Sequence, residues 1–276
     1  TDFEYTVEGK PNNGDMFISV NDAGGPGSVG GTSKTQYLLG NPYPSAIDVN
    51  AFIADNAGLI NGAVYLWEQW AGNSHILNQY EGGYATLNFV GGTKAYQFVG
   101  LNGDNTGVQG GTKTPKRYIP VAQGFMTEIV GSGNVEFNND QRVFKTEVSG
   151  DSQFLRSTAA TTPDANDSEL QVMRLEFETS SHLTRELLLA FGNNTGDDVF
   201  DYGYDAGRVY NNTADLNLNY GWKNMNIQAY NPITVDKGIP LNFTSSTNNS
   251  FEIKITVLEN IAEDQEIYLT DNLTGE

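Results

Sequence analysis

A chain of 276 residues with 34 acidic and 15 basic side chains carries a net charge of −19, which excludes a phosphate backbone as partner, because nucleic acid needs basic patches. It holds no cysteine, so disulfides, cysteine nucleophiles and thiolate metal sites are excluded together. No run of 18 apolar residues occurs, so no segment reads as a membrane-inserted helix, and 31 glycines with 11% aromatics point to short strands joined by turns.

In chain order, residues 3–7 and 16–20 read as strands around the turn Pro11-Asn12-Asn13-Gly14. Residues 21–33 form a glycine-rich loop without GxGxxG spacing or a P-loop lysine, so it is not a phosphate cradle. An extended run at 37–39 stops at Gly40. In Asn41-Pro42-Tyr43-Pro44 two prolines then fix a rigid corner. Ser45 stands three residues before Asp48, the spacing of a capping box, which predicts a short helix over 46–55 with Ile47, Ala51 and Phe52 on its buried face. Strand, corner and helix read as an architectural landmark, with Tyr43 buried.

Residues 63–68 read as an apolar strand, 71–83 as a polar loop and 84–89 as an alternating, half-buried strand. A second glycine-rich loop covers 100–114. Further strands are expected at 118–121, 124–130 and 135–137, with a break at Gly131-Ser132-Gly133. Ser, Thr, Ala and Asp dominate 149–169 around Pro163. The chain is therefore one large domain over 1–276, or two packed subdomains at about 1–148 and 169–276 joined by a 149–168 linker. Strands resume at 170–177, 184–191, 226–230, 239–243, 251–258 and 266–270. In 251–258, Ile253, Ile255 and Val257 point inward while Glu252, Lys254 and Thr256 point outward. About fifteen strands and one helix predict an all-β fold, an antiparallel β-sandwich of jelly-roll type.

The segments GNPYPSAIDVNAFI, INGAVYLWEQW, EGGYATLNFVGG, YIPVAQGFM, VEFNNDQRVFK and FDYGYDA follow one another between about residues 37 and 274. In that order they resemble a β-rich segment of large secreted Bacteroidetes proteins, found upstream of type IX secretion C-terminal sorting domains. The resemblance implies a secreted or outer-surface location. It also implies export by the type IX machinery through a sorting domain that this chain does not contain. It implies no chemistry, because the segment is defined by pattern and position.

Candidate chemistry is sparse. His75 lies in a polar loop and His182 beside Ser180 and Ser181, with no GxSxG elbow and no HExxH. Glu68 between Trp67 and Trp70 is the leading carboxylate, since aromatic rings stack on sugars and raise a neighbouring carboxyl's pKa; the alternative is plain core. Tyr202 and Tyr204 are a second aromatic pair. Asp197, Asp198, Asp201 and Asp205 are the densest oxygen-ligand cluster, for calcium or for turn-terminating hydrogen bonds. The acid excess has the same two readings, solubility or divalent cations: residues 1–138 carry 12 acids and 6 bases, 139–276 carry 22 and 9. Six Asn-x-Ser/Thr triplets occur, at Asn166, Asn193, Asn211, Asn242, Asn248 and Asn272.

These features predict a non-enzymatic secreted or cell-surface module, a stalk or adhesin. The rivals are a carbohydrate-binding module and a glycoside hydrolase with an unidentified carboxylate pair. The chain opens at Thr1 without a signal peptide and closes on a turn after the expected 266–270 strand. This reads as a fragment whose last sheet edge invites strand addition.

Overall fold

The computed structural model describes residues 6, 8–23, 35–71, 81–96, 110–146, 150–155, 170–180, 182–209, 214–221, 223–246 and 250–275. With 46% of residues in strands and 5% helical, the fold is all-β with antiparallel sheets and one α-helix. In chain order the elements are β1 (Met16–Val20), β2 (Gln36–Gly40), β3 (Ala46–Asp48), α1 (Val49–Asp55), β4 (Val64–Ala71), β5 (Glu81–Asn88) and β6 (Gly91–Thr93). Then come β7 (Tyr118–Ile119), β8 (Gly124–Glu128), β9 (Gly133–Phe137), β10 (Arg142–Val143), β11 (Gln171–Thr179) and β12 (Thr184–Phe191). The chain continues through β13 (Ala206–Gly207), β14 (Ala214–Tyr220), β15 (Lys223–Tyr230), β16 (Leu241–Ser245) and β17 (Phe251–Glu259). The first expected strand, most of the 21–33 and 100–114 loops, and most of the 149–168 linker lie outside the described residues.

Among the described residues four sheets result: β1–β9, β10–β3–β7, the five-stranded β2–β8–β4–β5–β6, and the large β16–β14–β15–β12–β11–β17 with β13 added on β15. Among the named strands every pairing is antiparallel except β12 with β15, which is parallel from Leu188↔Ile227 to Phe191↔Tyr230. A parallel pair needs a long crossover, and residues 192–222 supply it by way of β13 and β14.

Side-chain alternation in β4 shows how the layers stack. Val64 and Leu66 point to a core shared with Phe52 and Ile53 of α1 and with Phe125 and Phe137. Ala63 and Tyr65 point the other way, against Val172, Leu188, Ala190, Ile227 and Ala229 of the large sheet. This second interface is rich in alanine, so the backbones approach closely. Polar side chains cross it too. Arg174 donates to the Gly92 carbonyl (2.7 Å), Glu186 accepts from the Lys94 N–H (2.7 Å), and the Asn226 amide joins the Thr86 and Thr93 hydroxyls to the carbonyls of Ala206 and Gly207.

The outer face of the large sheet carries a third core: Phe177, Leu187, Leu189, Phe191, Leu216 and Met225. Its edge strands, β16 and β17, lie five strand spacings apart, about 24 Å if the sheet were flat. Yet the Phe243 and Phe251 rings meet at 4.4 Å, both against Phe177 at 5.9 Å. The sheet therefore bends back on itself into an open roll around this core.

The corner at 41–45 is built as its prolines require. Asn41 accepts from the Tyr43 N–H (3.0 Å) and donates to the carbonyls of Ser45, Ile119 and Pro120. Tyr43 is 1% exposed, with its hydroxyl on the Gly14 carbonyl (2.7 Å) and the Arg142 guanidinium over its ring. The expected helix start, however, is wrong. Residues 46–48 pair as a strand with β7 and β10, because β-branched Ile47 fills a buried site between them, and the helix begins at Val49. The cap is Asp48, whose carboxylate accepts from the Asn50 N–H (3.0 Å) and takes Arg117 in a two-pronged pair (2.8 and 2.7 Å). Ser45 instead accepts from Arg142 Nε (3.1 Å). Asp48→Ala is expected to lower stability by about 1–2 kcal/mol, most of it from the cap, since a pair with half-exposed Arg117 contributes little. Ser45→Ala should leave the urea midpoint nearly in place, and the reverse ranking would return the cap to Ser45.

Two further expectations change. Residues 266–270 form no strand, since nothing among the described residues pairs with them and Tyr268 and Leu269 are exposed. The turn after them does form, on Asp271, which accepts from the Leu273 N–H (2.8 Å) and the Thr274 hydroxyl (3.0 Å). In β17 the alternation holds at Ile253, but Ile255 is half exposed. The ladder to β11 skips a residue between Arg174 and Leu175, and β17 borders the roll's open seam.

Candidate functional site

Trp67 and Trp70 do not form one platform. Their strand sends Trp67 toward Tyr84, edge to face at 5.0 Å, while Trp70 packs on the core around α1, on the opposite side of the sheet. Three residues apart on one strand, they alternate onto opposite faces. Glu68 is buried and accepts from the backbone N–H of Thr112 (3.1 Å) and Lys113 (3.4 Å) and from the Thr112 hydroxyl (3.3 Å). Burial pushes its carboxyl up, against the pull of those donors. Burial likewise lowers the Lys113 ammonium, which donates to the Leu155 carbonyl. Gly111 stands so close that a Cβ there would lie 2.5 Å from Glu68 Oε2, so no substrate reaches the carboxylate from that side.

Tyr202 and Tyr204 belong to a knuckle that locks the layers. The Tyr202 hydroxyl donates to the Ile53 carbonyl (2.9 Å) at the end of α1, and Tyr204 meets Phe89 edge to face at 5.4 Å. Between them Gly203 takes φ +79° and accepts from the Phe89 N–H (2.8 Å).

Three of the four aspartates around the knuckle have their carboxylates bonded to protein donors. Asp205, fully buried, accepts from the Ala229 N–H (2.8 Å) and the Asp201 N–H (3.0 Å); Asp201 accepts from the Gly196 N–H (2.8 Å). Asp197 accepts from the Asn231 N–H (3.1 Å) and from Lys237 Nζ. Burial opposes its charge, but these donors win and hold its carboxyl below the usual range. The backbone carbonyl of exposed Asp198 accepts from the Tyr220 hydroxyl (3.4 Å). Among the described residues no three Asp, Glu or His side chains converge to hold a metal.

Asp205 carries a pH signature. Burial pushes its carboxyl up to about 7, against the two N–H donors and with a small further push from Asp201. Between its ordinary range near 3.8 and about 7, the folded chain holds a proton that the unfolded chain has released. Its contribution to stability therefore falls as pH rises through that window and levels off above it. The wild type should lose melting temperature between about pH 4 and about pH 7 relative to Asp205→Asn. Parallel slopes in the two proteins would remove Asp205 as the cause.

His182, exposed at φ +64°, bonds Glu178 through Nδ1 (3.1 Å); His75 lies outside the described residues. Of the six triplets, Asn193 and Asn272 are exposed, Asn242 is half-buried with its amide on Asn224 (2.8 Å), and the other three lie outside the described residues.

Among the described residues, a concavity of ligand size lies at an end of the roll. It is a groove of about 550 Å³ between the 197–198 loop, the β14–β15 hairpin and the 238–240 loop. A second cavity, beside Tyr65 and Glu128, holds about 30 Å³, room for a water or two. The groove wall combines Tyr220, Tyr230, Asn219, Lys223 and both Asp197 and Asp198. Tyr230 is held in place by stacking on Phe191 at 5.7 Å. The Lys223 ammonium stands over two rings, Phe200 at 5.4 Å and Tyr220 at 5.9 Å. Of these residues only the aspartates were singled out in the sequence. The available signal was the alternation Leu216, Leu218, Tyr220, which marks β14 and its hairpin.

Residues 1–276 match the family described as a domain of unknown function, DUF8693, and the chain belongs to that family. No curated protein and no solved structure matches it.

Proposed function

We propose that the chain is a non-enzymatic module of a longer exported polypeptide, serving at the cell surface as a stalk or adhesin. One observation carries the reading: the residues best suited to catalysis are engaged in holding the layers together. Glu68 is tied to the 112–113 backbone, Asp205 to Ala229, and Tyr202 to α1. The type IX route and outer-surface location rest on the ordered sequence resemblance. The test is turnover: the purified chain, incubated with polysaccharides and peptides, should release no product. Release abolished by Glu68→Gln in a folded protein would overturn the reading and favour the hydrolase.

A second reading, carbohydrate binding, is favoured by the groove. Its wall offers an aromatic ring, an amide and charges of both signs, the mixture that hydrogen-bonds neutral hydroxyls without selecting a charged ligand. Binding to a polysaccharide panel should be saturable and lost in Tyr220→Ala at unchanged melting temperature. Binding indifferent to Tyr220 would place the contact elsewhere.

A further inference from the structure

The open seam of the roll leaves β17 bonded to β11 on one side and, among the described residues, to nothing on the other. Nine residues is long for an unprotected edge strand. The apolar side chains turned toward the roll's core are half exposed at this edge: Phe251 48%, Ile255 45% and Leu258 44%, with Phe243 at 41% on the facing edge strand. The opposite face of β17 carries Glu252 and Lys254, which pair with each other (3.0 Å), while Lys254 also reaches Glu178 (3.1 Å).

We infer that β17 is a self-association edge, and that a second copy of this chain adds its own β17 antiparallel to the first about a two-fold axis at Ile253. The choice of partner and register rests on complementarity. In this register Phe251 faces Ile255 of the second copy and Glu252 faces Lys254, each pair occurring twice, and Ile253 faces itself once on the axis. Over residues 251–255 the apolar side chains cover one another and both charges meet their opposites. The neighbouring same-face registers fail on charge: a two-fold axis at Glu252 sets Glu252 against its own copy, and one at Lys254 does the same to Lys254. A shift to the next even register, at Ile255, sets Phe251 against Glu259. Registers one residue out set the apolar face of one strand against the charged face of the other. A lysine on an edge strand ordinarily blocks pairing. Here Glu252 of the second copy neutralises it, so the charge selects a register.

The test is the oligomeric state of the 276-residue chain by sedimentation, from about 1 to about 100 µM at low salt, where a dimer is expected. Glu252→Lys and Lys254→Glu each place like charges opposite one another at two points, and each should weaken association about tenfold or more. The double variant Glu252→Lys with Lys254→Glu exchanges the two charges and should restore the dimer. Both positions are at the surface, so the fold is checked by melting, and the two single variants stand in for each other if one fails to fold. A monomer throughout, or a dimer indifferent to both reversals, overturns the inference. The result is independent of the groove and of the stalk or adhesin reading.

Discussion

Asp215→Ala is expected to cost about 3–5 kcal/mol, because it removes the carboxylate that balances a buried cation. Asp215 is fully buried and takes Arg185 in a two-pronged pair (2.9 and 2.8 Å), with Arg208 at 3.5 Å. The Arg185 guanidinium lies 3.8 Å from the centre of the Tyr96 ring, and the Tyr96 hydroxyl donates to the Ala214 carbonyl (2.5 Å), so the pair is enclosed by one aromatic side chain. Truncating the acid removes a two-pronged carboxylate from Arg185 without giving that guanidinium water. The ion pair itself is worth far less than its breakage, because both charges were desolvated to make it. The double variant Arg185→Met with Asp215→Leu should therefore recover most of the loss; Arg208, 17% exposed, can turn to solvent. Urea unfolding of the three proteins decides: a double variant as unstable as Asp215→Ala would mean the charges are worth more than apolar packing.

That buried pair also marks the limit of the sequence. Strands with one apolar face were readable, and residues 16–20, 124–130 and 184–191 fall on β1, β8 and β12. β14 was not, although Leu216 and Leu218 alternate through it, because Asp215, Asn217 and Asn219 give it the composition of a polar loop. Asp215 and Asn217 are in fact fully buried. Alternation identifies a strand, but it does not tell whether the polar face meets water or another layer. The same ambiguity moved the candidate site. Trp67, Trp70, Tyr202 and Tyr204 are the aromatics a ligand platform would use, and equally those a layer interface would use; only the stacking of sheets decides. The groove draws on Asp197, Tyr220 and Tyr230, which lie 33 residues apart from first to last and meet because a parallel pair joins β12 to β15. Local pattern does not encode that crossover. At the corner, Pro42 and Pro44 act through their own backbones and were legible. The helix cap was misread because Ser45 and Asp48 both satisfy capping chemistry, and the pairing of Ile47 decides between them.

Gly203→Ala should be the other severe lesion, at about 2–5 kcal/mol, from two costs that add. At φ +79° the new Cβ is in the left-handed region, a penalty of about 1–2 kcal/mol. It would also lie 2.3 Å from Phe89 Cε2 and 2.5 Å from Cδ2, and Phe89 has little room to yield. Its ring is set edge to face on Tyr204, and its N–H is bonded to Gly203 itself. The knuckle cannot retreat the other way, since a Cβ on Gly62 would already stand 2.6 Å from the Gly203 nitrogen. Overpacking of this kind costs about 1–3 kcal/mol. Gly221→Ala separates the two contributions: it shares the left-handed backbone at φ +60°, but nothing lies within 4 Å of its Cβ position. Gly221→Ala should therefore show the backbone cost alone, and the difference in unfolding free energy between the variants measures the packing of the knuckle. Equal losses at both positions would mean that Phe89 moves aside and that the knuckle does not lock the layers. A much larger loss at Gly203, accompanied by weakened protection of the Ile53 end of α1 in hydrogen exchange, is the expected result, because Tyr202 carries the strain one residue further to the Ile53 carbonyl.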